Sequence, residues 1–149
     1  NNFLPLTNED TNICTLFFVD PIAGEAVKAF NDTLKNANKN VQDYIGPENP
    51  TEKDLIRALA CAMNNETVII GSYQKYITNE KQQEIIKQVL EIAKKRILIS
   101  LLSPYDLINY PEVSTTMAVY GPTKETMQST AEIILGQIKA QGKLPVKIE

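Results

Sequence analysis

The sequence contains no histidine and no tryptophan, and it has only two cysteines. Without histidine the chain cannot build a Ser-His or Cys-His nucleophilic pair, or the common zinc sites that use imidazole. Cys14 and Cys61 stand far apart, and neither belongs to a CxxC pair. Because both lie in apolar surroundings, we predict two buried free thiols and no metal site. A disulfide would depend on a geometry that the sequence does not show.

The chain also lacks an excess of positive charge and any long apolar run. Its formal net charge is −3 and its pI is about 5.1, so nucleic acid is not an expected partner. No run approaches the ~18 apolar residues of a membrane-spanning helix. With 149 residues, of which 43% are hydrophobic, the chain is long enough for one domain with a sizeable core.

Neither end carries a recognisable boundary signal. The sequence begins Asn1-Asn2 without an initiator Met or a signal peptide, and it stops at Glu149 shortly after a Leu-Pro-Val segment. We therefore interpret residues 1–149 as one excised domain. Targeting signals give no prediction of its compartment.

Apolar runs of strand length alternate with segments of helical period along the chain. This alternation is typical of βαβ units, in which helices cover both faces of a parallel sheet. The pattern predicts a mainly parallel sheet of five strands, at residues 13–19, 41–45, 68–73, 97–102 and 116–120.

The C-terminal part of the chain has the pattern of a helix followed by a short strand. Thr123 is a candidate N-cap, apolar residues keep helical spacing through Ile138, and Gly142 is the predicted end. Gly136 would then lie inside the helix, at a cost of ~1 kcal/mol relative to Ala, which favours close packing there. We expect Leu135 and residues 144–146 to anchor this helix to the sheet, and residues 146–148 to be a candidate extra edge strand.

Ligands of open parallel sheets bind at the carboxyl ends of the strands. No loop there reads GxGxxG or GxxxxGK[ST], so phosphate sites of those kinds are not predicted and no cofactor is expected. The third strand ends in Gly-Ser-Tyr, where a phosphoacceptor receiver module needs an Asp. Most acidic residues fall in turns or on outer helix faces. Asp20 and Asp106 are exceptions, because each follows a strand and either contacts a ligand or partner or caps a helix.

Several short segments together carry a family resemblance. The segments YGP (120–122), LG (135–136) and GKLPV (142–146) resemble the closing signature of the C-terminal domain of glycoside hydrolase family 3 enzymes. The segment NFLPL (2–6) resembles the stretch that follows the barrel in that family. The segment SPYD (103–106) resembles its Asn-Pro-Tyr-Asp stretch, with Ser in place of Asn. These segments occur in the family's order and span nearly the whole chain.

The resemblance implies a flavodoxin-like three-layer α/β/α sandwich docked on an N-terminal TIM barrel, which this sequence does not contain. The β-glucosidase branch of the family takes its acid/base Glu from a loop of this domain, in a Glu-Gly-x-Asp-Arg segment. The corresponding residues 71–83 contain neither Glu-Gly nor Asp-Arg, and Glu80 fits a first-turn helix acid. This departure favours the β-N-acetylhexosaminidase branch, for which the resemblance implies that all catalytic residues lie in the barrel.

The resemblance thus predicts a non-catalytic accessory domain that is inactive alone. Its parent would hydrolyse terminal β-linked N-acetylglucosamine with retention of configuration, and only the parent would bind the carbohydrate substrate. A secreted, periplasmic or cell-surface parent is compatible with this resemblance. Two alternatives stay open: the domain of a β-glucosidase or of a degenerate family member, and a stand-alone flavodoxin-like binding module.

The candidate residues for contact with a ligand or with the barrel lie at the predicted strand ends. They are Asp20, Tyr73, Pro104, Tyr105, Asp106 and Tyr110. Pro and Tyr offer rigid, amphipathic contact area of the kind that interfaces favour, so we expect an exposed apolar patch near residues 103–110. In the alternative, Tyr105 packs on its own sheet. No catalytic residue and no metal ligand is assigned within the chain.

Overall fold

The computed structural model describes residues 3–148, so Asn2 of the NFLPL segment lies outside the described residues. The elements, in chain order, are β1 Asn12–Val19, α1 Pro21–Asn36, β2 Asn40–Pro47, α2 Glu52–Asn64, β3 Thr67–Ser72, α3 Glu80–Ile92, β4 Lys95–Ser100, a 3₁₀ helix Pro104–Asn109, β5 Thr116–Ala118 and α4 Lys124–Ile134. All five predicted strands are present, each within two residues of its predicted bounds.

The strands form one parallel sheet in the order β2-β1-β3-β4-β5. In this sheet β2 lies on one side of β1, and β3, β4 and β5 follow in order on the other side. This is the flavodoxin-like order, and its topological switch point lies between β1 and β3. Because parallel strands share their polarity, the loops that follow them all lie at one edge of the sheet, the carboxyl edge.

Side chains of β1 point alternately into two cores. Ile13 and Phe17 pack with α1 and α4 on one face of the sheet, whereas Leu16 and Phe18 pack with α2 and α3 on the other. Strands of this kind, buried on both faces, are near-continuous apolar runs. The three-layer α/β/α sandwich is therefore confirmed.

Capping side chains fix where the helices begin. Asp20 Oδ1 accepts from the Ala23 N–H at the start of α1, and Thr51 and Asp54 form a capping box at the start of α2. Thr123 caps α4 by accepting from the Thr126 N–H, as predicted. Such caps satisfy backbone donors that a helix leaves without an internal partner. They also hold the loops of the carboxyl edge in fixed positions.

The two cysteines are bonded, so the prediction of free thiols is wrong. Cys14 on β1 and Cys61 on α2 form a disulfide with 5.7 Å between their Cα atoms. Both side chains point into the core between the sheet and the α2–α3 layer. The apolar surroundings of each cysteine were identified correctly, but the sequence did not reveal that the two residues face each other.

Helix α4 ends at Ile134 rather than at Gly142, which corrects the prediction for the C-terminal part. Gly136 has a φ of 75°, and the N–H of Gln137 donates to the carbonyl of Glu132, which closes a Schellman motif. A Cβ at Gly136 would lie 2.8 Å from Cβ of Pro5. Gly136 thus packs closely, as expected, but it terminates the helix instead of lying inside it.

The segment after α4 does not take the predicted role of an anchor. Residues 146–148 form no strand, and Leu144 is 46% exposed. Leu135 is half-buried against the core formed with α1 and α4. The helix is held instead by Met127, Ala131 and Ile134, whose side chains are fully buried.

Candidate functional site

Four side chains meet at the carboxyl edge of the sheet, at its topological switch point between β1 and β3. The Tyr73 hydroxyl donates to Asp20 Oδ2 (2.7 Å), and Lys75 Nζ forms ion pairs with Asp20 Oδ2 (3.1 Å) and Glu48 Oε1 (2.9 Å). Lys75 Nζ also lies 5.5 Å from the centroid of the Tyr73 ring. We call Asp20, Glu48, Tyr73 and Lys75 the switch-point cluster. It links the loops that follow β1, β2 and β3.

The cluster fixes the protonation states of Asp20, Tyr73 and Lys75. The Ala23 N–H, then the Tyr73 hydroxyl and Lys75, lower the pKa of Asp20 from 3.8 to about 2. Burial and the nearby Asp20 carboxylate raise the pKa of Tyr73 to about 12. Hydrogen bonds to Glu48 and Asp20 raise the pKa of Lys75. At neutral pH, Asp20 and Lys75 are therefore charged and Tyr73 is neutral, so none of the three is suited to exchange a proton as a general acid or base.

Two amide side chains at the start of α3, those of Gln82 and Asn79, hydrogen-bond to the backbone beside the cluster. Gln82 is fully buried; its Oε1 accepts from the Tyr73 N–H (2.7 Å) and its Nε2 donates to the Phe18 carbonyl (3.1 Å). Asn79 caps α3 and donates from Nδ2 to the Glu48 carbonyl (3.0 Å). A buried amide whose hydrogen bonds are satisfied, as those of Gln82 are, makes a site rigid.

A cleft of about 600 Å³ opens beside the cluster. Its walls are the loop that follows β2 and the loop between β3 and α3, with Glu48, Lys75, Tyr76 and Asn79 among the lining residues. The cleft is open to solvent, and most of the residues that line it carry polar groups. Such a position, at the switch point of a parallel sheet, is where this architecture places ligands.

The residues present do not fit the phosphate of a flavin, which flavodoxin-like folds bind at this point. Backbone N–H groups at a helix N-terminus normally hold such an anion. Here the N–H of Ala23 already donates to Asp20 Oδ1, and Pro21 has no N–H that could bind an anion. In addition, Lys75 is already paired with two carboxylates.

Two further absences concern residues 3–148. Within that range, no group of three or more His, Cys, Asp or Glu side chains is placed to hold a metal ion. Nor does any helix there combine the length and the apolar character needed to cross a membrane.

Asp106 belongs to a second, buried polar group. The Ser72 hydroxyl donates to Asp106 Oδ2 (3.0 Å), and Asp106 also accepts from the backbone of Gln74. Burial nevertheless raises the pKa of Asp106, because its charged form loses hydration that these two bonds do not fully replace. Burial, and then the nearby Asp106 charge, also raise the pKa of Tyr110. This group joins β3 to the 3₁₀ helix.

The apolar side chains at the carboxyl edge form what we call the carboxyl-edge rim. Its members are exposed and follow the ends of four strands: Ile22 after β1, Tyr76 and Ile77 after β3, Tyr105 and Ile108 after β4, and Tyr120 after β5. Tyr76 is 104% exposed and Ile77 is 85% exposed. Exposed apolar residues mark an interaction surface when they form one contiguous patch, whereas scattered ones are ordinary.

The structure brings some of the predicted site residues together and separates others. Asp20 and Tyr73 contact each other in the switch-point cluster, and Asp20 also caps α1. Tyr105 is 54% exposed and lies on the rim, whereas Pro104 is buried. Tyr110 is 1% exposed, which corrects the expectation that its ring lies on an open patch. Its ring packs in the α2–α3 core because the 3₁₀ helix turns the chain back onto the sheet.

Lys75, Glu48 and Gln82 were not predicted as members of the site. Glu48 and Lys75 follow β2 and β3 at short distance, so their position at the carboxyl edge could have been inferred from the strand pattern. Nothing in the sequence identified Gln82 as a fully buried residue, because Gln is ordinarily exposed on helices.

A groove of about 540 Å³ lies at the β5 edge of the sheet, between β5, α4 and residues 140–144. Met117 and Ala118 of β5 and Ile133 of α4 form part of its wall, and the rim residue Tyr120 lies at its border. None of the six predicted site residues lines this groove.

The sequence matches no protein-family model and no curated protein. Its fold is similar to a region of a fungal multi-domain glycoside hydrolase family 3 β-N-acetylglucosaminidase that has a GCN5-related glucosamine N-acetyltransferase region. That similarity has a TM-score of 0.82 at 23% identity and covers 99% of this chain and 17% of that one. A glycoside hydrolase family 3 β-N-acetylglucosaminidase from Paenibacillus sp. str. FPU-7 is similar over 97% of this chain and 30% of its own, with a TM-score of 0.76 and 21% identity.

A flavodoxin from the domain Archaea is also similar, with a TM-score of 0.52 and 13% identity over 86% of this chain and 99% of that one. This chain spans less than a third of either β-N-acetylglucosaminidase. At these identities the likeness concerns the fold alone. The chain has a flavodoxin-like α/β fold that also occurs as one part of larger glycoside hydrolase family 3 β-N-acetylglucosaminidases.

Proposed function

We propose that this chain is a non-catalytic accessory domain of a β-N-acetylhexosaminidase-like enzyme of glycoside hydrolase family 3, and that it docks on the catalytic barrel through the carboxyl-edge rim. The rim is the observation that carries the proposal. Tyr76 and Ile77 extend from a loop whose base is held by Gln82 and the switch-point cluster, so two apolar side chains are presented on a rigid support. Preorganised aromatic and aliphatic residues of this kind are typical interface anchors.

The chemistry of the chain supports an accessory role. Glycoside hydrolysis requires a carboxylic acid and a second carboxylate, and the acid must keep its proton near neutral pH. Asp20 is held ionised by its hydrogen bonds and by Lys75. Glu80, in the first turn of α3, lines the cleft. Among the described residues that line it, the other carboxylate is that of Glu48, which is ion-paired with Lys75. The proposal therefore places the nucleophile and the acid/base in the partner, which hydrolyses terminal β-linked N-acetylglucosamine with retention.

The test uses the full polypeptide that carries this chain in its native source, isolated with an antibody against residues 3–148. It should hydrolyse chromogenic β-N-acetylglucosaminides, whereas the 149-residue chain alone should show no turnover of N-acetylglucosaminides or glucosides. The rim variant Tyr76→Ser/Ile77→Ser should loosen the interdomain contact and make the full polypeptide more sensitive to limited proteolysis.

The matched control is Ile56→Ser/Met63→Ser, which replaces two exposed apolar residues of α2 that do not belong to the rim. It should leave activity and protease resistance unchanged. The proposal fails if the isolated chain hydrolyses a substrate, or if both double variants behave alike. Hydrolysis of glucosides instead of N-acetylglucosaminides by the full polypeptide would favour the β-glucosidase alternative.

A stand-alone binding module is the second candidate, and the cleft of about 600 Å³ beside the switch-point cluster favours it. In that case the native polypeptide would contain no barrel, and a small molecule would be retained in the cleft. Native mass spectrometry of the isolated chain distinguishes the two candidates, because only a binding module would carry a ligand that Lys75→Ala removes.

A further inference from the structure

Three Asn-x-Thr triplets occur in the chain, and they lie in different environments. They begin at Asn31, Asn49 and Asn65. Such triplets are acceptors for N-linked glycans in secreted proteins unless the middle residue is proline. The triplet at Asn49 has Pro50 in the middle position and is excluded. Two triplets therefore remain to be compared.

The triplet at Asn31 lies inside the fold. Asn31 is 1% exposed on the inner face of α1, and its Oδ1 accepts from the Thr15 hydroxyl at 2.8 Å. Nδ2, the atom that would carry a glycan, is buried without a hydrogen-bond partner in the described part of the chain. A glycan at this atom would have to occupy the space between α1 and the sheet. Modification of Asn31 is therefore incompatible with the folded domain.

Asn65 has the opposite environment. It follows the last residue of α2 in an extended conformation and is partly exposed. Its Nδ2 donates to the Cys61 carbonyl and to Oε1 of Gln42, both at 2.8 Å. Gln42 is an exposed side chain that can move aside, and a glycosylated Nδ2 keeps one hydrogen for the Cys61 carbonyl. The fold therefore has room for a substituent at this atom.

The third residue of the same triplet provides an independent observation. Thr67 is the first residue of β3 and is fully buried, and its hydroxyl has no hydrogen-bond partner among residues 3–148. A buried hydroxyl without a partner costs free energy, and valine has the same shape without that cost. The folded domain thus gives the hydroxyl no role, whereas a glycosyltransferase that acts on the unfolded chain requires it.

We propose that Asn65 is an N-glycan attachment site that is modified before the chain folds. In the reaction, the amide Nδ2 attacks C1 of the reducing-end sugar of a lipid diphosphate-linked oligosaccharide. The C1–N bond forms, the bond from C1 to the phosphate oxygen breaks, the lipid diphosphate leaves and Nδ2 loses one proton. The Cys14–Cys61 disulfide is consistent with this route, since disulfides persist in the oxidising compartments where such transfer occurs.

The position of Asn65 also leaves the proposed docking surface free. Asn65 precedes β3, whereas Tyr76 and Ile77 follow it, so the glycan would extend from the amino edge of the sheet and the rim lies at the carboxyl edge. The inference does not depend on the identity of the partner that the rim contacts.

The test expresses the 149-residue chain behind a secretion signal in yeast and maps the sites with peptide:N-glycosidase in ¹⁸O-water. Asn65 should become ¹⁸O-labelled Asp in the secreted, folded chain, and Asn31 should remain unmodified. Thr67→Ser should retain the glycan. Asn65→Gln and Thr67→Val should each abolish it, and Thr67→Val should match or exceed the wild-type melting temperature.

Translation in the presence of microsomes tests Asn65 where secretion is poor, because transfer precedes folding. The unfolded chain also offers Asn31, so the assay uses an Asn31→Gln background. A glycosidase-sensitive shift in that background that Asn65→Gln removes supports the proposal. Absence of that shift, a glycan on Asn31 in the folded chain, or marked destabilisation by Thr67→Val would each overturn it.

Discussion

Tyr73 and Asp20 connect the ends of β3 and β1 through a hydrogen bond of 2.7 Å from the Tyr73 hydroxyl to Asp20 Oδ2. The same carboxylate caps α1 through the Ala23 N–H (2.9 Å) and pairs with Lys75 (3.1 Å). One side chain therefore stabilises a helix start, a strand end and a loop together.

Replacing Asp20 should lower stability in a pH-dependent way. Asp20→Ala should reduce the free energy of unfolding by about 1–2 kcal/mol near neutral pH, the usual cost of a lost N-cap. Because folding lowers the pKa of Asp20 from 3.8 to about 2, its contribution is complete above 3.8 and disappears as the pH falls through 2. Urea denaturation at several pH values measures this, with the exposed Asp32→Ala as control. Equal losses at low and neutral pH would contradict the assignment.

The contribution of Asp106 to stability should depend on pH in the opposite direction. Because burial raises its pKa in the folded state, the wild type should lose stability as the pH rises from 3.8 through the raised folded value. Asp106→Asn keeps an oxygen that can accept from the Ser72 hydroxyl but carries no charge. It should be more stable than the wild type at neutral pH and equally stable in acid. Thermal unfolding across this range is the measurement, and a less stable variant at neutral pH would mean that the charge itself is needed.

The disulfide should be a main contributor to stability. Cys14 and Cys61 close a loop with a sequence separation of 47, and for such a loop the chain-entropy treatment gives about 4 kcal/mol. Cys14→Ala/Cys61→Ala should lower the free energy of unfolding by roughly that amount in urea, within the usual 2–5 kcal/mol. The wild type under reducing conditions is the comparison. A loss of less than ~1 kcal/mol would show that the cross-link hardly restricts the unfolded chain.

Two glycines near the C-terminus offer a matched pair of substitutions. Gly136→Ala places a side chain on a residue with φ of 75° and within 2.8 Å of Pro5, so it should cost about 2 kcal/mol. Gly142→Ala meets no atom within 4 Å and should change the unfolding free energy little. Calorimetric melting of both variants compares them directly. Similar effects of the two changes would argue against the left-handed helix end at Gly136.

The layers of the fold could be predicted from the sequence because each strand is an apolar run between helical segments. β1 is buried on both faces, and this gives the continuous run from Ile13 to Val19. The end of α4 could not be predicted in the same way. The residues after Gly136 keep helical spacing, but Pro5, far away in the sequence, occupies the space beside the glycine.

The candidate site was only partly predictable for a related reason. Asp20 and Tyr73 were identified because each stands at the end of a strand. The pairing of Lys75 with both Asp20 and Glu48 depends on how three loops approach one another, and so does the burial of Gln82. Tyr110 resembles a loop residue in sequence, but the 3₁₀ helix directs its ring into the core.

The bond between Cys14 and Cys61 makes the polypeptide from one to the other a covalent ring that contains all of α1 and β2. A protease that cuts the exposed turn at Asn38 would open this ring without releasing a fragment. The nicked molecule would gain only the mass of one water and would migrate as two pieces only after reduction. The disulfide thus keeps β1 and α1 covalently joined to the rest of the domain after such a break.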